Sequence, residues 1–290
     1  MLLTKLRCAH FKNYKAIELA YAAQLNFIVG ANGAGKTSLL DAIHYLSLTK
    51  SAFNSIDSQN IQHGEVSFAV AGQFMKADHA HEVQCVFHQQ NGKTLKRNHK
   101  PYEKLRDHIG LFPVVLTTPY DIDLIRGGSE VRRKFFDSLL CQLDREYLEQ
   151  LAKYQHLLTQ RNSLLRLHKE GQSLDRDLLT AYNEQLLPLG KYLFAARQAF
   201  IQEFYTLFQK YYHYFVAAEE TVQLTYVSEV GATDFEERFL RSLPQDISLQ
   251  RTTMGAHRDD FHFTLNDYSL KKLGSQGQQK SFIIALRLAQ

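Results

Sequence analysis

The sequence predicts an α/β fold, a mixed sheet with an antiparallel subdomain and a mostly helical second lobe inserted into it. Three observations carry this. Residues 24–43, QLNFIVGANGAGKTSLLDAI, read as strand, glycine-rich loop and helix. Strand-length apolar stretches flank that segment and return after residue 219. From Arg132 to about Tyr214, one helix-period stripe follows another. The expected division is 1–118 for the first part of the α/β lobe, 119–219 for the helical insertion and 220–290 for the return.

LLTKLRCAHF (2–11) and the stretch from Tyr14 supply the first strands, and Asn26 to Val29 the end of an apolar strand. Gly30 to Thr37 then satisfies G-x-x-x-x-G-K-[ST], and SLLDAIHYL continues as a helix. Residues 66–72, 82–88 and 94–97 read as antiparallel strands, with a turn at Asn91-Gly92. In the middle, Leu148, Leu151, Leu158 and Leu165 form one stripe. After a turn at 169–173, a second runs Leu179, Tyr182, Leu186, Leu189, Leu193, Ala196, Phe200, Phe204, Leu207, Tyr211. Steps of three and four predict two antiparallel helices, the second bent by Pro188 and Gly190. Residues 221–229, 247–255 and 260–268 are strand-like, and a helix starts near Ser275.

With 290 residues and 44% hydrophobic side chains, the chain can fill real cores. No apolar stretch reaches the roughly 18 residues of a membrane span, and charge at Lys5, Arg7 and Lys12 interrupts any signal-like N-terminus. Cys8, Cys85 and Cys141 lack paired or metal-type spacing, as do the thirteen histidines, which fits a reducing cytoplasm and no Cys/His metal site. A net charge of +4 permits a nucleic-acid partner without requiring one.

The loop's spacing follows from its chemistry. Gly30, Gly33 and Gly35 allow backbone N–H groups to approach phosphates closely; Lys36 neutralises β/γ oxygens, and Thr37 offers a hydroxyl to Mg²⁺. The expected contacts to ATP are Gly30, Asn32, Gly33, Gly35, Lys36, Thr37 and Ser38. Near the other end, Gly274-Ser275-Gln276-Gly277-Gln278 resembles the Ser-x-Gly-Gln signature of ABC-type P-loop ATPases, with Gln276 in place of a commoner glycine. Ser275, Gly277, Gln278 and the helix start make a second anion site, which in a head-to-tail pair caps the γ-phosphate held by the partner's loop. An ordinary N-capped helix is the alternative.

The insertion between loop and signature is longer than that of transporters and far shorter than the arms of SMC proteins. FKNY (11–14), GANGAGKTSLLDAI, PYDIDLIRGGSEVRRKFFD (119–137), YQHLLTQRNSLLR (154–166), GAHRDDF (255–261) and GSQGQQKSFIIALRLAQ together resemble the RecF family of bacterial DNA replication and repair ATPases. The 119–137 stretch departs from the family pattern at Tyr120 and Ser129. The resemblance implies a cytoplasmic, ATP-induced dimer that binds gapped or single-stranded/duplex junction DNA in recombinational repair, replication restart and the SOS response, with RecO and RecR as partners. Lys93, Lys96, Arg97 and Lys100, in the basic hairpin 91–106, are the candidate DNA-phosphate contacts; a solvated hairpin suits the same charges.

Such ATPases also need an apolar strand ending in Asp, followed by an acid that positions water. The one Asp pair, Asp259-Asp260, follows MGAHR and does not fit that role. The expectation is therefore a chain truncated after the signature helix, with a core edge exposed and hydrolysis near zero. Two alternatives stand beside it: a remnant, and an ATP-binding dimer switch without hydrolysis.

Overall fold

Alternating side chains build the first sheet. β1 (Leu2–Phe11) pairs with β2 (Tyr14–Ala20) on one side and β3 (Ser67–Lys76) on the other; β4 (His79–His88), β5 (Gly92–Arg97) and β6 (Lys100–Pro101) continue the order β2-β1-β3-β4-β5-β6. Every pairing is antiparallel. Leu6, Cys8, Val70, Val83, Cys85 and Leu95 share the buried face, where α1 (Lys36–Leu48) lays down Leu39, Ala42, Tyr45 and Leu46. Phe11, Tyr45 and Phe68 meet edge to face at centroid distances of 5.2–6.0 Å. The close approach of α1 requires Gly72: a Cβ there would lie 2.6 Å from Leu46 Cδ1.

The hairpins β3–β4 and β5–β6 turn on two residues each, Ala77-Asp78 and Asn98-His99, all with positive φ. Asn98 is a good choice for that conformation and Ala77 a poor one. The turn at Ala77 is therefore invisible in the sequence, and β3 and β4 run past the expected 66–72 and 82–88. The strand expected at 26–29 does not form. Phe27 and Val29 are 81% and 86% exposed, and no strand among the described residues lies alongside to pair with their backbone.

The computed structural model describes residues 1–54, 56–169, 173–216 and 220–290, in two units, Met1–Leu116 and Thr117–Gln290. Most of the turn expected at 169–173 lies outside the described residues. The second unit opens with a capped turn at Pro119–Ile122 and continues through α2 (Asp123–Arg126), α3 (Ser129–Leu143), α4 (Arg145–Lys169) and α5 (Arg176–Phe215). Then follow β7 (Val222–Val227), α6 (Phe235–Arg241), α7 (Leu243–Leu249), β8 (Asp260–Leu265), β9 (Tyr268–Ser269), α8 (Leu270–Leu273) and α9 (Gln276–Leu288). The sheet is antiparallel, ordered β7-β8-β9, with the expected 260–268 strand broken by the Asn266-Asp267 turn.

The helical stretch shares its cores with the residues that follow it. Phe136 packs on Phe204 and Phe261, and Phe282 on Phe208 and Phe263. α5 runs unbroken through Pro188, and its buried stripe is Leu179, Asn183, Leu186, Gly190, Leu193, Arg197, Ile201, Phe204, Phe208, Tyr212. Beyond Leu193 this lies one residue away from much of the apolar stripe expected from sequence, so Leu207 is exposed. Arg197 in a core position accounts for the shift, and Arg161 on α4 is buried likewise against Asn183 of the same stripe. Arg161 and Arg197 are 1% and 2% exposed. Arg197 reaches Asp137 (2.9 and 3.0 Å), Asp259 (2.8 Å), the Ala256 carbonyl (2.7 Å) and Tyr147 (3.1 Å). Arg161 reaches Asn183 (2.8 Å), Asp246 (2.8 Å) and Thr252 (2.7 Å). Such groups stay buried because carboxylate, amide, hydroxyl and carbonyl acceptors meet their guanidinium donors.

That second network also corrects the strand expected at 247–255. Ile247 to Leu249 complete α7, Gln250 turns at φ 56, and the Asp246 carboxylate accepts from the N–H and hydroxyl of Thr253. The backbone bends around a buried carboxylate rather than extending.

Candidate functional site

Asn13 and Tyr14, at the β1–β2 turn, hold the glycine-rich loop from one side. The Asn13 amide donates to the Gly33 carbonyl at 3.2 Å and the Tyr14 hydroxyl to that of Ala34 at 3.3 Å. Gly33 and Gly35 take φ of 83° and 100°; at Gly35 a Cβ would fall 2.6 Å from both Asn13 Nδ2 and Tyr14 Oη. With these carbonyls bound to the turn, α1 starts at Lys36 behind Gly35, with no side-chain cap and no acidic residue in its first turn. Its first N–H groups and dipole are thus left for an external anion. Lys36 Nζ folds over the loop to the carbonyls of Gly30 (2.7 Å) and Ala31 (2.8 Å), while Asn32 and Thr37 are exposed and Ser38 is half-buried. Farther along α1, Asp41 accepts from Lys12 (2.5 Å), Ser51 (2.6 Å) and the Ala52 N–H (2.7 Å), fixing the helix beside its loop. Asn13 and Tyr14 of the FKNY run thus belong to the site, through bonds to loop carbonyls that the glycine spacing does not signal.

At the signature, Ser275 caps α9. Its Oγ accepts from the Gln278 N–H (3.2 Å), and Gln278 Oε1 accepts from the Ser275 N–H (2.8 Å). Ser275 and Gly277 are exposed, and a Cβ on Gly277 would meet nothing nearer than Ser275 Oγ at 3.9 Å. The Ser275 hydroxyl accepts the capping bond, leaving its own proton to be donated outward.

The four candidate cations separate into two groups. Lys96, Arg97 and Lys100 are exposed around the Asn98-His99 turn, with Arg97 over the Tyr102 ring at 6.0 Å. Lys93 is different: its side chain is 10% exposed, donates to the Thr49 carbonyl (2.6 Å) and pairs with Asp57 (2.8 Å). Its charge is neutralised within the unit, so it is withdrawn from the phosphate-contact set.

Asp259 accepts from Arg197 and Tyr226, and Arg132 clasps Asp260 at 2.7 and 2.9 Å. Burial pushes the Asp259 carboxyl up; at Asp260 burial pulls the same way, but the Arg132 guanidinium and the Phe261 N–H together hold the carboxyl below its usual value. Both acids are occupied as structural partners. Among the described residues no group of three or more His, Cys, Asp or Glu forms a metal cluster, and no helix is long and apolar enough to cross a membrane.

Residues 2–109 match the RecF/RecN/SMC N-terminal domain model. The chain is 43% identical over 290 residues to the DNA replication and repair protein RecF of Flavobacterium johnsoniae, and 42% identical to that of Cytophaga hutchinsonii. It spans its full length in both and 81% and 77% of those relatives. It superposes with TM-score 0.92 and 27% identity on a solved recombination mediator RecF bound to ATP, covering 99% of this chain and 79% of that one. A Pyrococcus furiosus Smc head shares the fold at 15% identity, TM-score 0.54, with 99% and 78% covered.

Proposed function

Because the chain belongs to the RecF family of DNA replication and repair proteins, we propose that it is an ATP-dependent DNA-binding protein of recombinational repair and replication restart. The observation that carries this is the phosphate loop: glycines at positive φ, carbonyls tied to Asn13 and Tyr14, and an uncapped helix start beside Lys36. In this reading the loop N–H groups and Lys36 hold the β- and γ-phosphates, and Thr37 supplies a hydroxyl to Mg²⁺. The exposed Ser275 hydroxyl and Gly277 N–H of a second copy then cap the γ-phosphate, so that ATP binds the two copies together. RecO and RecR are the partners that the reading implies, in the cytoplasm.

DNA contact is assigned to Lys96, Arg97 and Lys100, which sit on one exposed turn and pair with no carboxylate among the described residues, and gapped or junction DNA is the substrate tested. Replacing all three by alanine is expected to weaken binding and lower the slope of log K against log salt by roughly 2–3. An unchanged slope would exclude this turn from the interface. Lys36→Ala is expected to lower ATP affinity at least tenfold, on the order of 1.4 kcal/mol, with the thermal midpoint unmoved; titration of a fluorescent ATP analogue checks it, and wild-type affinity in the variant would overturn the site.

A second reading, an ATP-driven dimer switch without turnover, is favoured by one observation: the single Asp-Asp pair is occupied by Arg197, Tyr226 and Arg132. Phosphate release measured with and without gapped DNA separates the two, since DNA-stimulated turnover excludes the switch.

A further inference from the structure

The 119–137 stretch touches α9 at both ends. Toward its N-terminus, Arg126 Nε donates to Gln279 Oε1 at 3.0 Å, and the Gln279 amide nitrogen donates to the carbonyls of Leu270 (3.2 Å) and Gly274 (3.1 Å). Arg126 is only a donor, so it dictates which end of the Gln279 amide faces it and turns the NH₂ onto the backbone just ahead of Ser275. Gly274 fits that turn closely: a Cβ would meet the Leu270 carbonyl at 2.6 Å. At the other end, Asp121 clasps Arg287 at 2.8 and 2.9 Å, and the Arg287 guanidinium lies over the Phe135 ring at 5.1 Å. Gln279 and Arg287 are eight residues apart, about 12 Å along a helix. Two grips that far apart fix both the rotation and the tilt of α9.

The grip is itself anchored. Arg132, within the same stretch, donates to the carbonyls of Leu124 (3.3 Å) and Gly127 (2.9 Å) while it clasps Asp260 at the start of β8. A continuous line of hydrogen bonds therefore runs from β8 through Arg132, the 124–127 turn, Arg126 and Gln279 to the carbonyl preceding Ser275.

We propose that the 119–137 stretch is the positioning element of the signature turn, with Arg126, acting through the Gln279 amide, as the residue that sets the direction of the Ser275 hydroxyl and the Gly277 N–H. Its consequence for ATP rests on the reading that a second copy's signature caps the nucleotide. Arg126 is exposed, so Arg126→Ala removes the donor with little cost to folding. Amide exchange on the intact protein reads the turn directly. Arg126→Ala is expected to speed exchange at residues 275–280 roughly tenfold, leave exchange in α1 and the thermal midpoint unmoved, and be reversed by Arg126→Lys, which restores a donor. Wild-type exchange at 275–280 in Arg126→Ala overturns the proposal; if that variant is unstable, Arg126→Met, which keeps the apolar stem and loses the donor, supplies the same comparison and must show the same faster exchange, wild-type exchange in it being the overturning result. ATP-induced self-association, followed by sedimentation, should weaken about tenfold in Arg126→Ala while ATP affinity is kept. A wild-type protein that does not associate with ATP refutes the dimer reading alone, and the exchange result still decides the positioning role.

Discussion

Gly35 and Gly277 belong to the two halves of the candidate site, and the structure treats them oppositely. At Gly35 a methyl group faces φ 100° and two polar atoms at 2.6 Å, whereas at Gly277 it meets nothing nearer than Ser275 Oγ at 3.9 Å. Gly35→Ala should therefore strain the loop by about 1–2 kcal/mol and lower ATP affinity tenfold or more. Gly277→Ala should leave stability within about 0.5 kcal/mol and ATP affinity intact, while weakening ATP-induced association by intruding on the face offered to the second copy. Calorimetric binding and sedimentation of the two variants check the pair; equal losses of ATP affinity would contradict the assignment of Gly277 to the partner's nucleotide. The loop was legible in the sequence because its chemistry is carried by glycine spacing and one lysine. Lys93 was not, because its neutralisation by Asp57 and Thr49 depends on residues about 40 positions away that only the fold brings near.

At the scale of elements, the long helices and most strands were legible because long apolar periodicity survives tertiary packing, whereas the two short helices Phe235–Arg241 and Leu243–Leu249 were not. Two of the misses share one cause: polar residues placed where an apolar rule expects none. Arg197 and Asn183 occupy the buried stripe of α5, and Asp246 bends the segment read as a strand at 247–255. The 26–29 segment fails for a different reason, since a strand needs a neighbour and apolar sequence cannot supply one. These networks predict a large effect from a small change. Arg197→Met leaves the half-buried Asp137 and the buried Asp259 without their shared cation, at about 3–5 kcal/mol, or on the order of 10 °C in thermal midpoint. Arg197→Lys should recover only part, because one ammonium cannot serve acceptors on Asp137, Asp259 and Ala256 with the geometry of a guanidinium. Chemical denaturation of the two variants measures this, and a loss below about 1 kcal/mol in Arg197→Met would show that the network is not a keystone.

For the whole molecule, pH is the variable that acts on both units at once. In the first unit His108 donates from Nε2 to the Leu46 carbonyl at 2.7 Å, and burial holds its pKa below the usual value. In the second, His257 lies between the Tyr154 hydroxyl (2.8 Å) and the Thr252 carbonyl (3.0 Å). The carbonyl requires a proton on Nε2, so Nδ1 accepts from tyrosine and the ring is neutral. Burial, with the charges of Arg258 and Arg133, lowers its pKa from 6.5 to about 4. Between those values the unfolded chain takes up a proton that the folded one refuses, so stability is lost as pH falls through this window, by up to about 3 kcal/mol from His257. Asp259 works in the opposite sense, its raised carboxyl being protonated in the fold before it is in the unfolded chain, and softens the loss only at the acid end. On the basic side, burial pushes the thiols of Cys8, Cys85 and Cys141 from 9.0 up to about 12, so the unfolded chain loses protons first and stability declines again above pH 9. Thermal midpoints from pH 4 to 10 are thus expected to form a plateau between about 6.5 and 9, falling on both sides. His257→Gln, whose amide can still donate to the Thr252 carbonyl and accept from Tyr154, should flatten the acid limb while leaving the basic limb in place. An acid limb as steep in that variant as in the wild type would assign acid lability to groups other than His257.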